Sequence, residues 1–131
     1  MENFEQDLKE RMKRLGVEVI QLVERLPRRQ GAEIIGKQII RCSTSIGANY
    51  RAACRARSRA DFIAKLAIAE EESDETLYWL EVLGDLKLLD AQSFGRLHQE
   101  AEEITKILTA SGKTAKQSMT VSKQPRPYTP K

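Results

Sequence analysis

Apolar residues recur along the first 112 residues at a spacing of three to four positions, which places them on one face of an α-helix. The pattern predicts four amphipathic helices, at about residues 6–26, 32–56, 58–85 and 90–112. After residue 112 the periodicity stops. The apolar faces predict the following core residues: Leu8, Met12, Leu15, Val19, Leu22, Val23, Leu26, Ile35, Ile39, Cys42, Ile46, Tyr50, Ala53, Phe62, Leu66, Ala69, Ser73, Leu77, Leu80, Phe94, Leu97, Ala101, Ile104 and Leu108.

Local sequence signals mark the ends of these helices. Pro27 cannot continue the first helix, because it lacks a backbone N–H and its ring clashes with the preceding turn. Ser58 and Asp61 form the S-x-x-D pattern of a capping box, and Asp90 is a favourable N-cap residue for the fourth helix. Four helices joined by short connections favour an all-α fold, an antiparallel up-down four-helix bundle that comprises residues 1–112.

The last nineteen residues, 113–131, differ from the rest of the chain in composition. They contain five basic residues, no acidic residue and three of the four prolines. We therefore expect a disordered, basic C-terminal tail outside the bundle. Without this tail the formal charge of the chain falls from +3 to −2, so the basic character of the whole protein comes from the tail.

The rare residues exclude several classes of function. One histidine, His98, and two cysteines, Cys42 and Cys54, are too few for a zinc site, and Gly95 stands where a di-iron bundle would need a Glu three residues before His98. The sequence therefore predicts no enzyme, no metal and no cofactor. On one helix the two cysteines lie roughly 18 Å apart, too far for a disulfide. Reduced cysteines and the lack of a long apolar run favour a cytoplasmic protein that does not enter a membrane.

Charge is strongly segregated along the chain. Residues 34–60 contain six basic residues and no acidic one, whereas residues 66–86 contain seven acidic residues and no basic one. Four of the six bases fall within an arc of about 80° on the polar face of the second helix, among small side chains that would let a phosphate approach closely. Arginine forms bidentate contacts with phosphate, so we predict a site for a nucleic-acid backbone. Its residues are Lys37, Arg41, Arg51, Arg55, Arg57 and Arg59.

Two other interpretations of this basic stripe remain open. It can be an ordinary solvated face, or it can pair electrostatically with the acidic third helix of the same chain or of a neighbour. No aromatic residue interrupts the stripe, which argues against sequence-selective recognition of single strands.

The third helix carries a second apolar strip opposite its core face. Ile68, Trp79 and Val82 lie there among acidic residues, with Tyr78 nearby. A second apolar strip on an amphipathic helix indicates an interface, and Trp and Tyr are frequent anchors of interfaces. These four residues are the predicted oligomer interface. The competing interpretation is that Trp79 lies flat over the surface of its own bundle.

The run QIIRCSTSIGAN at residues 38–49 resembles the signature of the small four helix bundle protein family, which includes proteins encoded in intervening sequences of bacterial large-subunit rRNA genes. The resemblance extends over roughly residues 4–110 through SRADFIAKLAIA at 58–69 and ETLYWL at 75–80. This chain departs from the family at Ala52-Ala53, where many members have Glu-Gly. We therefore expect a continuous second helix.

The resemblance implies a bundle that assembles into a closed ring, a pentamer. It also implies kinship with the accessory proteins of diversity-generating retroelements, which bind a reverse transcriptase and nucleic acid, and it marks Arg41 and Asn49 as motif positions. Our leading hypothesis is a non-enzymatic, oligomeric nucleic-acid-binding accessory protein that contacts the RNA or DNA backbone, with a protein partner such as a reverse transcriptase implied by the resemblance. The alternative is a structural adaptor that self-assembles through pairing of basic and acidic helices without nucleic acid.

Overall fold

The structure, a computed structural model, describes residues 2–123, which form four α-helices joined by short connections. The helices are α1, Glu2–Glu24; α2, Gln30–Cys54; α3, Arg59–Asp85; and α4, Ala91–Lys123. The predicted all-α four-helix bundle is confirmed. The second helix is continuous through residues 52 and 53, as expected.

Each helix packs against the helix before it, and α4 returns beside α1 to close the bundle. The contact between α2 and α3 is the most extensive, and the contact between α1 and α4 is the smallest. Every predicted core residue is either buried or packed against the buried core. Seven further described residues are buried that the periodicity did not single out: Gly16, Ala32, Gly36, Ser43, Thr76, Leu83 and Ala115.

The predicted N-terminal caps of α3 and α4 are confirmed. Ser58 Oγ accepts a hydrogen bond of 3.0 Å from the backbone N–H of Asp61. At the start of α4, the Ser93 backbone N–H donates to Asp90 Oδ1 at 2.8 Å, and this bond lowers the pKa of the Asp90 carboxyl. Both caps satisfy backbone donors that the first turn of a helix leaves unpaired.

The fourth helix is longer than the sequence predicted. It continues through Ser111 and Gly112 to Lys123, and Ala115 in this extension is only 3% exposed. The prediction that helical order ends at residue 112 was wrong, because the glycine faces open space and interrupts neither the backbone hydrogen bonds nor the packing of the following turn. Residues 124–131, the remainder of the predicted tail, lie outside the described residues.

Small polar side chains form a seam inside the core. Ser73 Oγ lies 2.6 Å from Thr105 Oγ1, and Thr76 Oγ1 donates to Cys42 Sγ at 3.3 Å. Over the described part of the chain, every buried side-chain nitrogen or oxygen has a hydrogen-bond partner. Cys42 and Cys54 are both free thiols, as the spacing predicted. The seam therefore fixes the relative position of α2, α3 and α4 without leaving polar atoms unsatisfied.

Ion pairs connect α1 to α4, the two helices that contact each other least. Arg11 donates to Glu100 Oε1 at 2.6 Å and to Glu103 Oε2 at 2.8 Å. Further along the contact between α1 and α4, Arg96 donates to Glu18 Oε2 at 2.7 Å. These ion pairs link the two helices through long side chains, and the Arg11 guanidinium lowers the pKa of Glu100.

We predict that Gly36→Ala destabilises the protein. A β-carbon at this position would lie 2.8 Å from Cγ1 of Val23, whose branched side chain has little freedom to move. The free energy of unfolding in urea, followed by circular dichroism, should fall by about 1–3 kcal/mol. The control is Gly112→Ala, which meets no atom within 4 Å and should raise stability by about 0.5–1 kcal/mol through helix propensity. A Gly36→Ala protein as stable as the wild type would contradict the close packing of α1 on α2 at this point.

Removal of the ion pairs of Arg11 should make the free energy of unfolding less sensitive to a fall in pH. The folded-state pKa of Glu100 is lowered by Arg11, so the ion pair stabilises the fold above the ordinary glutamate value of 4.5 and is lost as pH falls below it. Arg11→Ala should therefore cost about 1 kcal/mol at neutral pH, and the difference from the wild type should shrink at acidic pH. Thermal unfolding across a pH series measures this. A difference that stays constant from pH 7 to pH 3 would show that packing, not charge, accounts for the loss.

Candidate functional site

Two glycines bring α1 and α2 close together near the middle of both helices. A β-carbon on Gly16 would lie 3.4 Å from Thr44 Cγ2, and one on Gly47 would lie 3.4 Å from Met12 Cβ. Along this contact the two helices form an open groove of about 540 Å³, which we call the α1–α2 groove. It is lined by Gln6, Lys9, Glu10, Met12, Lys13, Gly16, Val17, Ile20, Thr44, Gly47, Ala48, Arg51 and Arg55.

Four cations line the α1–α2 groove, two from each helix. Lys9 and Lys13 lie one helical turn apart on α1, and Arg51 and Arg55 lie one turn apart at the end of α2. Each pair is separated by about 6 Å along its helix axis. Glu10 is the one acidic residue among the lining residues that the structure describes, so the groove carries an excess of positive charge.

The two arginines of the groove differ from its lysines in their partners. Lys9 Nζ lies 3.4 Å from Glu5, and Lys13 Nζ lies 3.4 Å from Glu10, both on the exposed face of α1. Such solvated pairs contribute little, and an anionic ligand can displace them. Arg51 and Arg55 are exposed, and neither forms a salt bridge with an acidic side chain among residues 3–119.

Arg41, by contrast, is bound to the acidic third helix. Its guanidinium donates to both carboxylate oxygens of Glu75 at 2.7 Å and to those of Glu72 at 3.3 Å. Trp79 Nε1 also donates to Glu75, at 3.3 Å. The guanidinium lowers the pKa of Glu75, which keeps the pair ionised at neutral pH. Within this chain, Arg41 therefore connects α2 to α3, as one of the alternative interpretations of the stripe proposed.

The other three predicted basic residues lie in separate places. Lys37 is exposed beside a different cavity, near Glu24 and Glu33 at the opposite end of the bundle. Arg57 is exposed in the connection between α2 and α3, and Arg59 is the first residue of α3. The structure thus brings together Arg51 and Arg55 from the predicted stripe and separates Lys37, Arg41 and Arg59 from them.

Lys9 and Lys13 belong to the groove but were not predicted from the sequence. Their spacing of four residues places them on one face of α1, but α1 carries six acidic residues among its bases and does not stand out as basic. The signal that could have located them is the pair Gly16 and Gly47, since glycines in two neighbouring helices indicate where the backbones meet.

The predicted interface residues on α3 fall into two groups. Ile68 and Tyr78 are exposed, to 38% and 57% respectively. Trp79 and Val82 are half-buried and pack against the core of their own bundle. The Tyr78 ring contacts Trp79 edge-on with ring centres 5.0 Å apart. Trp79 therefore lies against the bundle surface, and Ile68 and Tyr78 are the members of this set that remain available to another molecule.

Outside the groove, the chemically distinctive side chains are the acids, the two cysteines and the motif residue Asn49. Between residues 2 and 123, no group of three or more His, Cys, Asp or Glu side chains is arranged to hold a metal ion. Burial raises the pKa of both cysteine thiols, which lowers their reactivity. The motif residue Asn49 donates to the Ser45 carbonyl oxygen at 2.9 Å and is half-buried. None of the four helices, over the described positions, is long and apolar enough to cross a membrane.

Comparisons with known proteins place this bundle in context. Residues 5–110 match the family described as 23S rRNA-intervening sequence protein. A solved structure is 38% identical in sequence, with a TM-score of 0.77, and the match covers 83% of this chain and 97% of the other. It is the 1.70 Å crystal structure of a protein with unknown function from the S23 ribosomal protein family of Bacteroides thetaiotaomicron VPI-5482. No curated protein matches the chain.

Proposed function

This chain belongs to the 23S rRNA-intervening sequence protein family, and from that premise we propose that it is a non-enzymatic accessory protein that binds RNA or DNA through the phosphate backbone. We further propose that it acts as a homo-oligomer, for which the family resemblance suggests a pentamer. Arg51 and Arg55, on the α2 side of the α1–α2 groove, make the contact, with Arg57 of the adjacent connection extending the surface.

The proposal rests on one observation: the arginines of α2 differ in whether they have an acidic partner. Arg41 is neutralised by two glutamates of its own chain, whereas Arg51 and Arg55 have no acidic partner in the described residues. Exposed guanidinium groups without a carboxylate partner are well suited to bidentate contact with phosphate oxygens. Their position beside a recess lined by small residues lets a phosphate come close to the helix surface.

Oligomerisation would strengthen a contact that is weak in one copy. A few phosphate contacts give low affinity at physiological salt, but several copies on one polynucleotide act at high effective concentration. The exposed Ile68 and Tyr78 on α3 are the proposed contact between copies.

A second candidate is a structural adaptor that assembles through pairing of basic and acidic helices. It is favoured by the exposed acidic residues Glu71 and Asp74 on α3, which could meet the arginines of a neighbour. The two candidates make opposite predictions about nucleic acid, so the following measurement separates them.

We predict that Arg51→Ala/Arg55→Ala lowers nucleic-acid affinity about tenfold or more, because two phosphate contacts are lost. Fluorescence anisotropy with labelled RNA and DNA over a salt series measures both the affinity and its salt dependence. The slope of log affinity against log salt should fall by about 1.4–1.8 for two lost contacts. The matched control is Arg41→Ala, which removes the same type of charge from the same helix and should change affinity less than threefold, since Glu72 and Glu75 already occupy that guanidinium.

Three outcomes of this experiment are informative. Loss on Arg51→Ala/Arg55→Ala with retention on Arg41→Ala supports the proposal. Equal losses in both variants would argue for general charge attraction, and no binding by the wild type at low salt would reject nucleic acid in favour of the adaptor.

We also predict that Ile68→Glu/Tyr78→Glu dissociates the oligomer, because two exposed apolar anchors are replaced by charges beside existing acids. Light scattering coupled to gel filtration measures the mass. Phe4→Glu is the control, since Phe4 is as exposed as Tyr78, at 57%, but lies on α1. An oligomer that survives the double substitution, with a native helical spectrum, would reject this face as the contact.

A further inference from the structure

We propose that the α1–α2 groove holds a single-stranded segment of nucleic acid, and that Lys9 and Lys13 of α1 complete the phosphate contacts made by Arg51 and Arg55 of α2. This inference rests on the proposed function and adds the strand type and the second helix of the site.

The groove has two chemically different parts. Its cations lie toward the start of α1 and the end of α2, which are neighbours because the two helices are antiparallel. Further along α1, Val17 is 47% exposed and Ile20 is half-buried, and both line the same groove. A ligand that fills the groove must therefore present anionic groups at one end and apolar surface at the other.

A single strand meets both requirements, and a duplex does not. The bases of a single strand can turn their apolar faces toward Val17 and Ile20 while the backbone follows the cations. In a duplex the base faces are stacked inside, so the outer surface would set hydrated phosphates against these aliphatic side chains. A rigid duplex also touches only the rim of a recess between two helices, whereas a flexible strand can enter it.

The composition of the groove indicates that recognition does not depend on base sequence. Aromatic residues, on which bases stack strongly, are absent from its described lining. The lining includes the small residues Gly16, Thr44, Gly47 and Ala48, which offer close approach but few side-chain donors for base edges. Affinity should come chiefly from phosphate contacts and should depend strongly on salt.

The test uses the full chain and three fluorescein-labelled probes of about 12 nucleotides. These are oligo(U), oligo(dT) and a blunt duplex of mixed sequence, each titrated by fluorescence anisotropy at several salt concentrations. We expect either single strand to bind at least fivefold more tightly than the duplex, and the comparison of oligo(U) with oligo(dT) shows whether the sugar matters.

Two variants probe the parts of the groove that the proposed function does not need. Lys9→Ala/Lys13→Ala should weaken single-strand binding about tenfold and reduce the salt slope by about 1.4. Val17→Glu should also weaken it about tenfold, because it places a negative charge on the apolar wall. The matched controls are Lys65→Ala/Lys106→Ala, on α3 and α4, and Ile34→Glu, at a residue 55% exposed on α2 outside the groove. Both controls should bind within twofold of the wild type.

Failure of this inference can be told from failure of the proposed function. Two results would reject the groove as the strand's site and leave the proposed function standing. One is a duplex that binds as tightly as the single strands. The other is wild-type affinity in the Lys9→Ala/Lys13→Ala and Val17→Glu variants while Arg51→Ala/Arg55→Ala still loses affinity. If the wild type binds none of the three probes at low salt, both are rejected. Circular dichroism of each variant confirms that the helices are intact.

Discussion

The close contact between α1 and α2 determines much of what this bundle can present to another molecule. At Gly16 and Gly47 the two helices lie so close that an added β-carbon would be in van der Waals contact, at 3.4 Å, with Thr44 and Met12 respectively. The same contact sets the antiparallel register that brings the lysines of α1 beside the arginines at the end of α2. Packing and site therefore share these two positions: Gly16 and Gly47 lie at the contact between the helices, and both line the groove without adding a side chain to it.

The apolar periodicity was sufficient to predict the core, and local capping chemistry was sufficient to predict two helix starts. Both are short-range effects, since a helical face and an N-cap depend on residues within one or two turns. The end of α4 was mispredicted because Gly112 resembles a helix stop when only propensity is considered. Ala115, buried at 3% exposure, shows that tertiary packing supports the next turn and overrides that propensity.

The candidate site was only partly predictable, because it depends on which helices are neighbours and in what register. A helical projection of α2 alone places Arg41, Arg51 and Arg55 on one strip and gives no reason to separate them. The contribution of α1 was likewise hidden, since Lys9 and Lys13 stand among acids in the sequence and meet the arginines only in the folded bundle. Charge composition identified the right helix, and tertiary structure was needed to identify the right residues on it.

The separation of Arg41 from Arg51 and Arg55 follows from the position of the acidic segment of α3, residues 66–86. The contacts of Arg41 with Glu75 and of Cys42 with Thr76 set the register between antiparallel α2 and α3. In that register the second half of α2 lies level with the first half of α3, where residues 62–69 contain no acidic residue. Asp61, in the first turn of α3, forms no salt bridge with Arg51 or Arg55. The other acids of α3 start at Glu70, so they reach the middle of α2 and neutralise Arg41 but do not reach Arg51 or Arg55. The basic segment at residues 34–60 and the acidic segment at 66–86 are thus offset along the bundle. Because of this offset, one end of the α1–α2 groove is positively charged, although residues 1–112 as a whole carry a net charge of −2.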